Sequence, residues 1–181
     1  MKFLFSSLFA LMAIAATAQP IDTTEWSNYM KNTRLYWDSL GTDYYDGIIA
    51  GNGRLGVNAY REGEKAIRFD VGRSDVTDQR PHYPDSMFTQ QLVSRPRLPI
   101  GKMVIRTEGK ILVAQIYLDI YNAMAKGHIS TTNGRVELLF FVPTGEDIIH
   151  IEASELGGEK IFCEWVAEQS ISPRISSGRG D

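Results

Sequence analysis

The stretch Gly51-Asn52-Gly53-Arg54-Leu55-Gly56 carries glycines at the spacing of a dinucleotide-binding motif, and Asp75 follows in the position of a ribose-binding acid. That motif requires a helix after the glycines, because the helix N-terminus binds the pyrophosphate. Here the next residues, VNAYREGEKAIRFDV, alternate apolar and polar side chains and break at a Glu-Gly turn. This pattern predicts a hairpin. We therefore predict that the glycines shape a tight turn and that the chain holds no cofactor.

Other groups that could do chemistry are scattered. Asp70, Asp75 and Asp78 lie close in sequence, but a glycosidase needs two carboxyls placed across a sugar, and nothing specifies that geometry. The histidines lack a partner at metal-ligand spacing, and the serines lack a nucleophile elbow. These residues are His82, His128, His150, Ser39 and Ser74. We expect no catalytic residue and no metal site in this chain.

A set of side chains near the glycine turn has the chemistry of a sugar-binding site. Aromatic rings stack on the C–H faces of pyranose rings, while amides and guanidinium groups bond to hydroxyls. The candidates are Trp37, Tyr44, Tyr45, Asn52 and Arg54. Two other interpretations stay open. The aromatics could be core residues beside ordinary turn chemistry, or the loop could pack against another domain.

Short segments rich in Val, Ile, Phe and Tyr follow one another from residue 35, and glycine-containing turns separate them. In AIRFDV, the alternation places Ile67, Phe69 and Val71 on one face and Arg68 and Asp70 on the other. Repeated short strands of this kind predict an all-β fold. We expect an antiparallel β-sandwich with few or no helices after the N-terminal eighteen residues.

Several segments carry weaker signals. Residues 19–34 are polar and are expected to be an irregular lead-in, and residues 77–101, with four prolines, a long surface excursion. Residues 119–130 are ambiguous and are interpreted as a strand. The lone Cys163 has no partner for an internal disulfide and is expected to be a small apolar residue of a half-buried strand. The polar tail, residues 170–181, is expected to be flexible.

The first eighteen residues have the pattern of a secretory signal peptide. Lys2 precedes an apolar run of residues 3–16, and Ala16-Thr17-Ala18 offers a cleavage site after Ala18. Cleavage would leave 163 residues, enough for one domain with a core. The 18 basic and 22 acidic residues then remaining form no basic run. We expect a secreted or periplasmic protein with neither nucleic acid nor membrane as a partner.

The order of these segments resembles a known family. YWDSLG, AGNGRLGVNAY and IRFDVGRSD, followed by LPIGKMVI, YLDIYNAMAKGHIST and GRVELLFFVPTGEDIIHIEAS, resemble the N-terminal β-sandwich of secreted glycoside hydrolases related to the family 95 α-L-fucosidases. The resemblance covers residues 36–159. Ile49-Ala50 stands where fucosidases usually have proline, and residues 69–75 differ from their Leu-Asn-Glu…Leu-Trp segment. The chain is therefore more similar to uncharacterised Bacteroides-type relatives.

The resemblance implies that residues 35–181 form a non-catalytic sandwich of a carbohydrate-acting, glycoside hydrolase-like protein. In that family a following (α/α)6 barrel supplies a glutamic acid as general acid and an Asn/Asp-assisted water, in an inverting reaction. No position of this chain matches those residues. Because the family's sandwich is longer, this one is expected to be incomplete and to pack against a missing C-terminal barrel. Carbohydrate is the expected ligand. A stand-alone carbohydrate-binding module and a non-functional gene fragment are the alternatives.

Overall fold

The computed structural model describes residues 23–78 and 97–169. These residues form one α-helix, a 3-10 turn at Tyr44–Asp46 and ten strands. The elements are α1 (Thr23–Lys31), β1 (Leu35–Trp37), β2 (Ile48–Gly51), β3 (Leu55–Arg61), β4 (Ala66–Thr77), β5 (Arg97–Thr107), β6 (Ile111–Asp119), β7 (Met124–Thr131), β8 (Arg135–Phe141), β9 (His150–Leu156) and β10 (Ile161–Val166). The one helix is not long and apolar enough to cross a membrane.

The strands form two antiparallel five-stranded sheets, which confirms the predicted all-β sandwich. The first sheet has the order β1-β6-β7-β8-β9 and the second has the order β10-β5-β4-β3-β2. Their facing sides share one apolar core, at whose centre the rings of Phe69 in β4 and Phe140 in β8 meet edge to face, with centroids 5.3 Å apart. The alternation predicted for β4 is confirmed, because Ile67, Phe69 and Val71 are buried.

The glycines form the predicted tight turn, and the predicted hairpin of β3 and β4 follows it. β2 and β3 pair antiparallel on either side of it, with Gly51 opposite Gly56, and Gly53 has a positive φ of 90°. That backbone conformation favours glycine, because a glycine residue has no Cβ. A strand rather than a helix follows Gly56, so the turn lacks the helix N-terminus that a bound pyrophosphate requires.

The prediction of an irregular segment at residues 19–34 is wrong for Thr23–Lys31, which form α1. Glu25 lies in its first turn and Lys31 in its last, both favourable to the helix dipole. The large side chains of this helix, Trp26 and Tyr29, remain exposed. Trp26, Tyr29 and Met30 have the i, i+3, i+4 spacing of a helical apolar face, but nine residues are too few for the sustained repeat that predicts a helix from sequence.

The proline-rich excursion predicted for residues 77–101 is also wrong at both ends, because Thr77 ends β4 and residues 97–101 begin β5. Pro99 lies opposite Gly72, beside an irregularity in the β4–β5 register. Irregular pairing is where a strand tolerates the missing N–H of proline. The other three prolines, the signal segment and the tail lie outside the described residues.

Two further predictions need correction. Residues 119–130 are mostly strand, but β6 and β7 are separated by a turn at residues 120–123. The Asp119 carboxylate holds this turn by accepting hydrogen bonds from the backbone N–H of Asn122 at 3.0 Å and from its side-chain amide at 2.9 Å. Cys163 is exposed, contrary to expectation, because β10 lies at the edge of its sheet.

Gly127 in β7 lies where two strands approach closely, and this makes a prediction. A Cβ there would lie 2.1 Å from the carbonyl oxygen of Gln115 and 2.6 Å from the Cα of Ile116, both backbone atoms of β6. We expect Gly127→Ala to lower the free energy of unfolding by about 3 kcal/mol, since the two strands must move apart.

Urea unfolding followed by tryptophan fluorescence measures this loss. Gly72→Ala is the matched control, because a Cβ at Gly72 meets no atom within 4 Å. We expect the control to change stability by less than about 1 kcal/mol. Equal stability of the two variants would contradict the close approach.

Candidate functional site

A groove of about 470 Å³ lies on the outer face of the second sheet, beside the glycine turn. Its floor is a row of three glycines in register on neighbouring strands, where Gly51 of β2 lies opposite Gly56 of β3, and Gly56 lies opposite Gly72 of β4. The nearest atom to a Cβ at Gly56 would be 3.7 Å away, and there would be none within 4 Å at Gly72. Neighbouring side chains therefore do not require glycine at either position. The row instead leaves bare backbone that a ligand can approach.

One wall of the groove is aromatic and aliphatic. Tyr44 and Ile49 contribute to it and are 53% and 68% exposed. The backbone of Tyr44 is fixed to the sheet, because the buried side-chain amide of Asn58 donates a 2.8 Å hydrogen bond to the carbonyl oxygen of Tyr44. Its ring meets the ring of Tyr60 edge to face, with centroids 6.0 Å apart. The groove thus has an apolar surface whose position the sheet fixes.

A charged cluster on the same sheet face adjoins the groove. Arg68 lies at its centre and bonds to Asp70 at 2.5 Å and to Glu168 at 2.9 Å. Glu62 lies 3.4 Å from Arg68 and 2.9 Å from the ammonium of Lys102. Each of the three carboxylates is therefore paired with a cation, and Asp70 and Glu168 also line the groove.

Two groups of this region, Tyr60 and Glu62, have pKa values shifted away from neutral pH. Burial, together with the hydrogen bond that its hydroxyl donates to Asp70 at 2.7 Å, raises the pKa of Tyr60 well above its ordinary value. The hydrogen bond from Lys102 lowers the pKa of Glu62. Tyr60 therefore stays protonated and Glu62 stays ionised. A general acid needs a proton that it can release near the working pH, and neither group offers one.

The side-chain oxygen and amide nitrogen of Asn52 are both engaged in hydrogen bonds within the fold. Its side-chain oxygen accepts hydrogen bonds from the backbone N–H of Arg54 at 3.0 Å and of Leu55 at 2.9 Å. Its amide nitrogen donates to the carbonyl oxygens of Pro143 at 2.9 Å and Glu146 at 2.8 Å. Asn52 therefore fixes the turn and joins it to the β8–β9 loop of the other sheet. Both amide hydrogens are engaged, so the residue serves the turn rather than a ligand.

Arg54 lines the groove, and its side chain is less firmly held than that of Asn52. Its guanidinium lies 3.1 Å from Asp147, and both side chains are exposed. Such an exposed ion pair contributes only about 0–1 kcal/mol, so Arg54 can exchange it for a ligand at small cost. Arg73 also contacts Asp147, at 3.2 Å, and bonds to Asp75 at 2.7 Å. That hydrogen bond lowers the pKa of Asp75 to about 2. Asp75 is thus paired with arginine.

The remaining candidates, Trp37 and Tyr45, do not line the groove. Trp37 packs partly against the core, and its indole N–H donates to the carbonyl oxygen of Asp46 at 3.1 Å, which supports the 3-10 turn. Tyr45 is 90% exposed and stands beside Tyr44, with ring centroids 5.6 Å apart. Among the five predicted residues, Tyr44 and Arg54 line the groove. Asn52 and Trp37 hold the elements that carry them.

The glycine floor, Ile49 and Asn58 were missed by the sequence analysis. A signal for the floor did exist. The observed hairpin is centred on Glu64, and folding the segment about that residue, one position beyond the middle of the Glu62-Gly63-Glu64 turn, places Gly56 opposite Gly72. The role of Asn58 depends on the path of the 3-10 turn, which carries no comparable signal. Within the described residues, no three His, Cys, Asp or Glu side chains are grouped to hold a metal ion.

Comparisons with known proteins add no family to this description. The sequence matches no protein-family model, and it matches none of the curated proteins.

Proposed function

We propose that this chain is the non-catalytic N-terminal β-sandwich of a secreted glycoside hydrolase-like protein, and that its groove contacts carbohydrate. The observation that carries the proposal is the bare floor of Gly51, Gly56 and Gly72 beside the exposed ring of Tyr44. The resemblance over residues 36–159 supports the same assignment. In this proposal the sandwich packs against a following barrel, which would do the hydrolysis.

The groove chemistry suits a sugar ring. A pyranose has an apolar face of C–H groups, which can stack on Tyr44 and lie against the backbone of the floor. Its hydroxyls can bond to the guanidinium of Arg54 and the hydroxyl of Ser74, both of which line the groove. A volume of about 470 Å³ is within the usual range for small-ligand sites.

The absence of turnover is part of the proposal. The groove carboxylates Asp70 and Glu168 are both bonded to Arg68, whereas an inverting glycosidase needs one carboxyl free to donate a proton. We expect no hydrolysis of aryl glycosides by the chain above a heat-inactivated control. Turnover clearly above that control would overturn the proposal. N-terminal sequencing of exported protein, expected to begin at Gln19, tests secretion.

A stand-alone carbohydrate-binding module is the second candidate. It is favoured by one observation, which is that the apolar wall of the groove is open, with Tyr44 and Ile49 53% and 68% exposed. A module of this kind would bind sugar without a barrel. Expression of the longer reading frame, if one follows, separates the two candidates by whether hydrolytic activity appears.

The groove proposal predicts the effect of three substitutions on binding. Against a panel of oligosaccharides in NMR titrations, we expect Tyr44→Ala to weaken binding about fivefold, because the loss of ring stacking is worth roughly 1 kcal/mol. We expect Gly72→Val to abolish binding by filling the floor, since open space lies over that residue. Tyr29→Ala, an exposed tyrosine on α1, is the control and should bind as wild type does. Equal binding by all variants would place the sugar elsewhere.

A further inference from the structure

Two arginines lie at one end of the groove, on either side of β4. Arg54 and Arg97 both line the groove. The carbonyl oxygen of Arg54 accepts a 2.8 Å hydrogen bond from the backbone N–H of Ser74, and Arg97, at the start of β5, lies opposite Thr77. The two arginines therefore border the same end of the groove from opposite sides. Ser74, which also lines the groove, belongs to the part of β4 between them.

Both guanidinium groups are available to a ligand. Arg97 is exposed, and none of the carboxylates that the structure describes lies within ion-pair distance of it. Arg54 is bonded to Asp147, but Asp147 also lies 3.2 Å from Arg73. If Arg54 turns towards a ligand, Asp147 therefore keeps a cation and no carboxylate is left unpaired. The exchange costs little because the pair is exposed.

The carboxylates of the groove, by contrast, are engaged. Asp70 and Glu168 are both bonded to Arg68, at 2.5 Å and 2.9 Å, and each of these three side chains is less than one-third exposed. A positively charged ligand would have to displace that guanidinium, and ion pairs shielded from water are harder to exchange than exposed ones. Among its described lining residues, the groove thus offers a free positive group and no free negative one.

We propose that the ligand of the groove is an acidic sugar, a uronic acid whose carboxylate bonds to Arg54 and Arg97 while its ring lies over the glycine floor and against Tyr44. A guanidinium group presents its N–H donors in a planar fork that matches the two oxygens of a carboxylate. A neutral sugar would leave the charge of Arg97 without a counter-ion, so it would gain less from the same groove. The inference rests on the proposed function, which it narrows from carbohydrate in general to one class of sugar.

Isothermal titration calorimetry with matched sugars tests the role of charge. The probes are oligomers of galacturonate, glucuronate and mannuronate, each compared with its own methyl ester, which keeps the rings and linkages but removes the negative charge. We expect at least one uronate to bind about tenfold tighter than its ester at about 0.01 M salt, and the preference to disappear at about 1 M salt, where exposed charges are screened. Equal binding of every acid and its ester at low salt would overturn this inference and leave the proposed function standing. Binding of no sugar at all would overturn both.

Two arginine variants locate the carboxylate. Arg97→Gln should reduce the preference for the acid over the ester about fivefold, because it removes one of the two guanidinium groups. Arg106→Gln is the matched control, since Arg106 is an exposed residue of the same strand that does not line the groove, and its loss changes the net charge equally. The control should bind both sugars as wild type does, and circular dichroism confirms that both variants are folded. A preference that survives Arg97→Gln, or that falls equally in the two variants, would overturn the inference.

Discussion

Replacing Glu159 with alanine is expected to lower the free energy of unfolding by about 3–5 kcal/mol. This buried carboxylate accepts hydrogen bonds from the backbone N–H groups of Glu108 at 2.8 Å, Gly109 at 3.1 Å and Lys160 at 3.1 Å. The hydroxyl of Thr131 also donates to it. Alanine would leave the N–H groups of Gly109 and Lys160 without an acceptor at the point where the β5–β6, β7–β8 and β9–β10 loops meet, while Glu108 N–H would keep the carbonyl oxygen of Lys160, 2.9 Å away. Urea unfolding at pH 7 measures the loss.

The charge of Glu159 also makes its contribution depend on pH. Burial by itself raises the pKa, but the hydrogen bond from Thr131 and those from the backbone outweigh it, so the pKa in the folded protein is lowered. A lowered pKa gives stabilisation that is complete above the pKa of the unfolded chain, about 4.3, and is lost as the pH falls further. Glu159→Gln, which keeps one acceptor and the size, is the control. We expect its deficit relative to wild type to shrink between pH 6 and about pH 3. A constant deficit would show that the negative charge is irrelevant.

Phe69→Ala should be comparably damaging, with a loss of about 3–5 kcal/mol. Phe69 is fully buried and its ring meets that of Phe140 from the facing sheet, so its removal leaves a cavity between the two sheets. Phe69→Leu retains most of the volume and should cost less than half as much. Thermal and urea unfolding measure both variants.

A double-mutant cycle isolates the contact between the two rings. Phe140→Ala and the double variant complete it, and we expect a coupling of about 0.5–1.5 kcal/mol beyond the loss of buried area. Strictly additive losses would mean that the two phenylalanines fill separate parts of the core.

Much of this fold follows from local pattern. The alternation in AIRFDV predicts which face of β4 is buried, and the glycine pairs predict the hairpin turns, because both depend on residues adjacent in sequence. Strand order does not follow in that way. The pairing of the edge strand β10 with β5, rather than with β9 before it, leaves Cys163 exposed, and nothing in IFCEWVA marks this.

The sequence predicted where along the chain the candidate site lies, but not which of its residues are free to contact a ligand. Sequence reasoning found the turn and the residue types around it, and Tyr44 and Arg54 do line a groove there. It could not find that Asn52 is engaged by Pro143 and Glu146, since that contact joins the two sheets. The pairing of Arg68 with Glu168 is equally remote in sequence. Contacts of this kind depend on the packing of the whole domain.

The bonds of Asn52 also have a bearing on how the chain reaches its native state. They join residues 91 and 94 positions apart along the sequence. Topologies dominated by such distant contacts fold in milliseconds to seconds, because large loops must close before the contacts form. Until then apolar strands and unpaired edges are open to other molecules. The residue that fixes the glycine turn is therefore among those whose contacts can form only after most of the chain has come together.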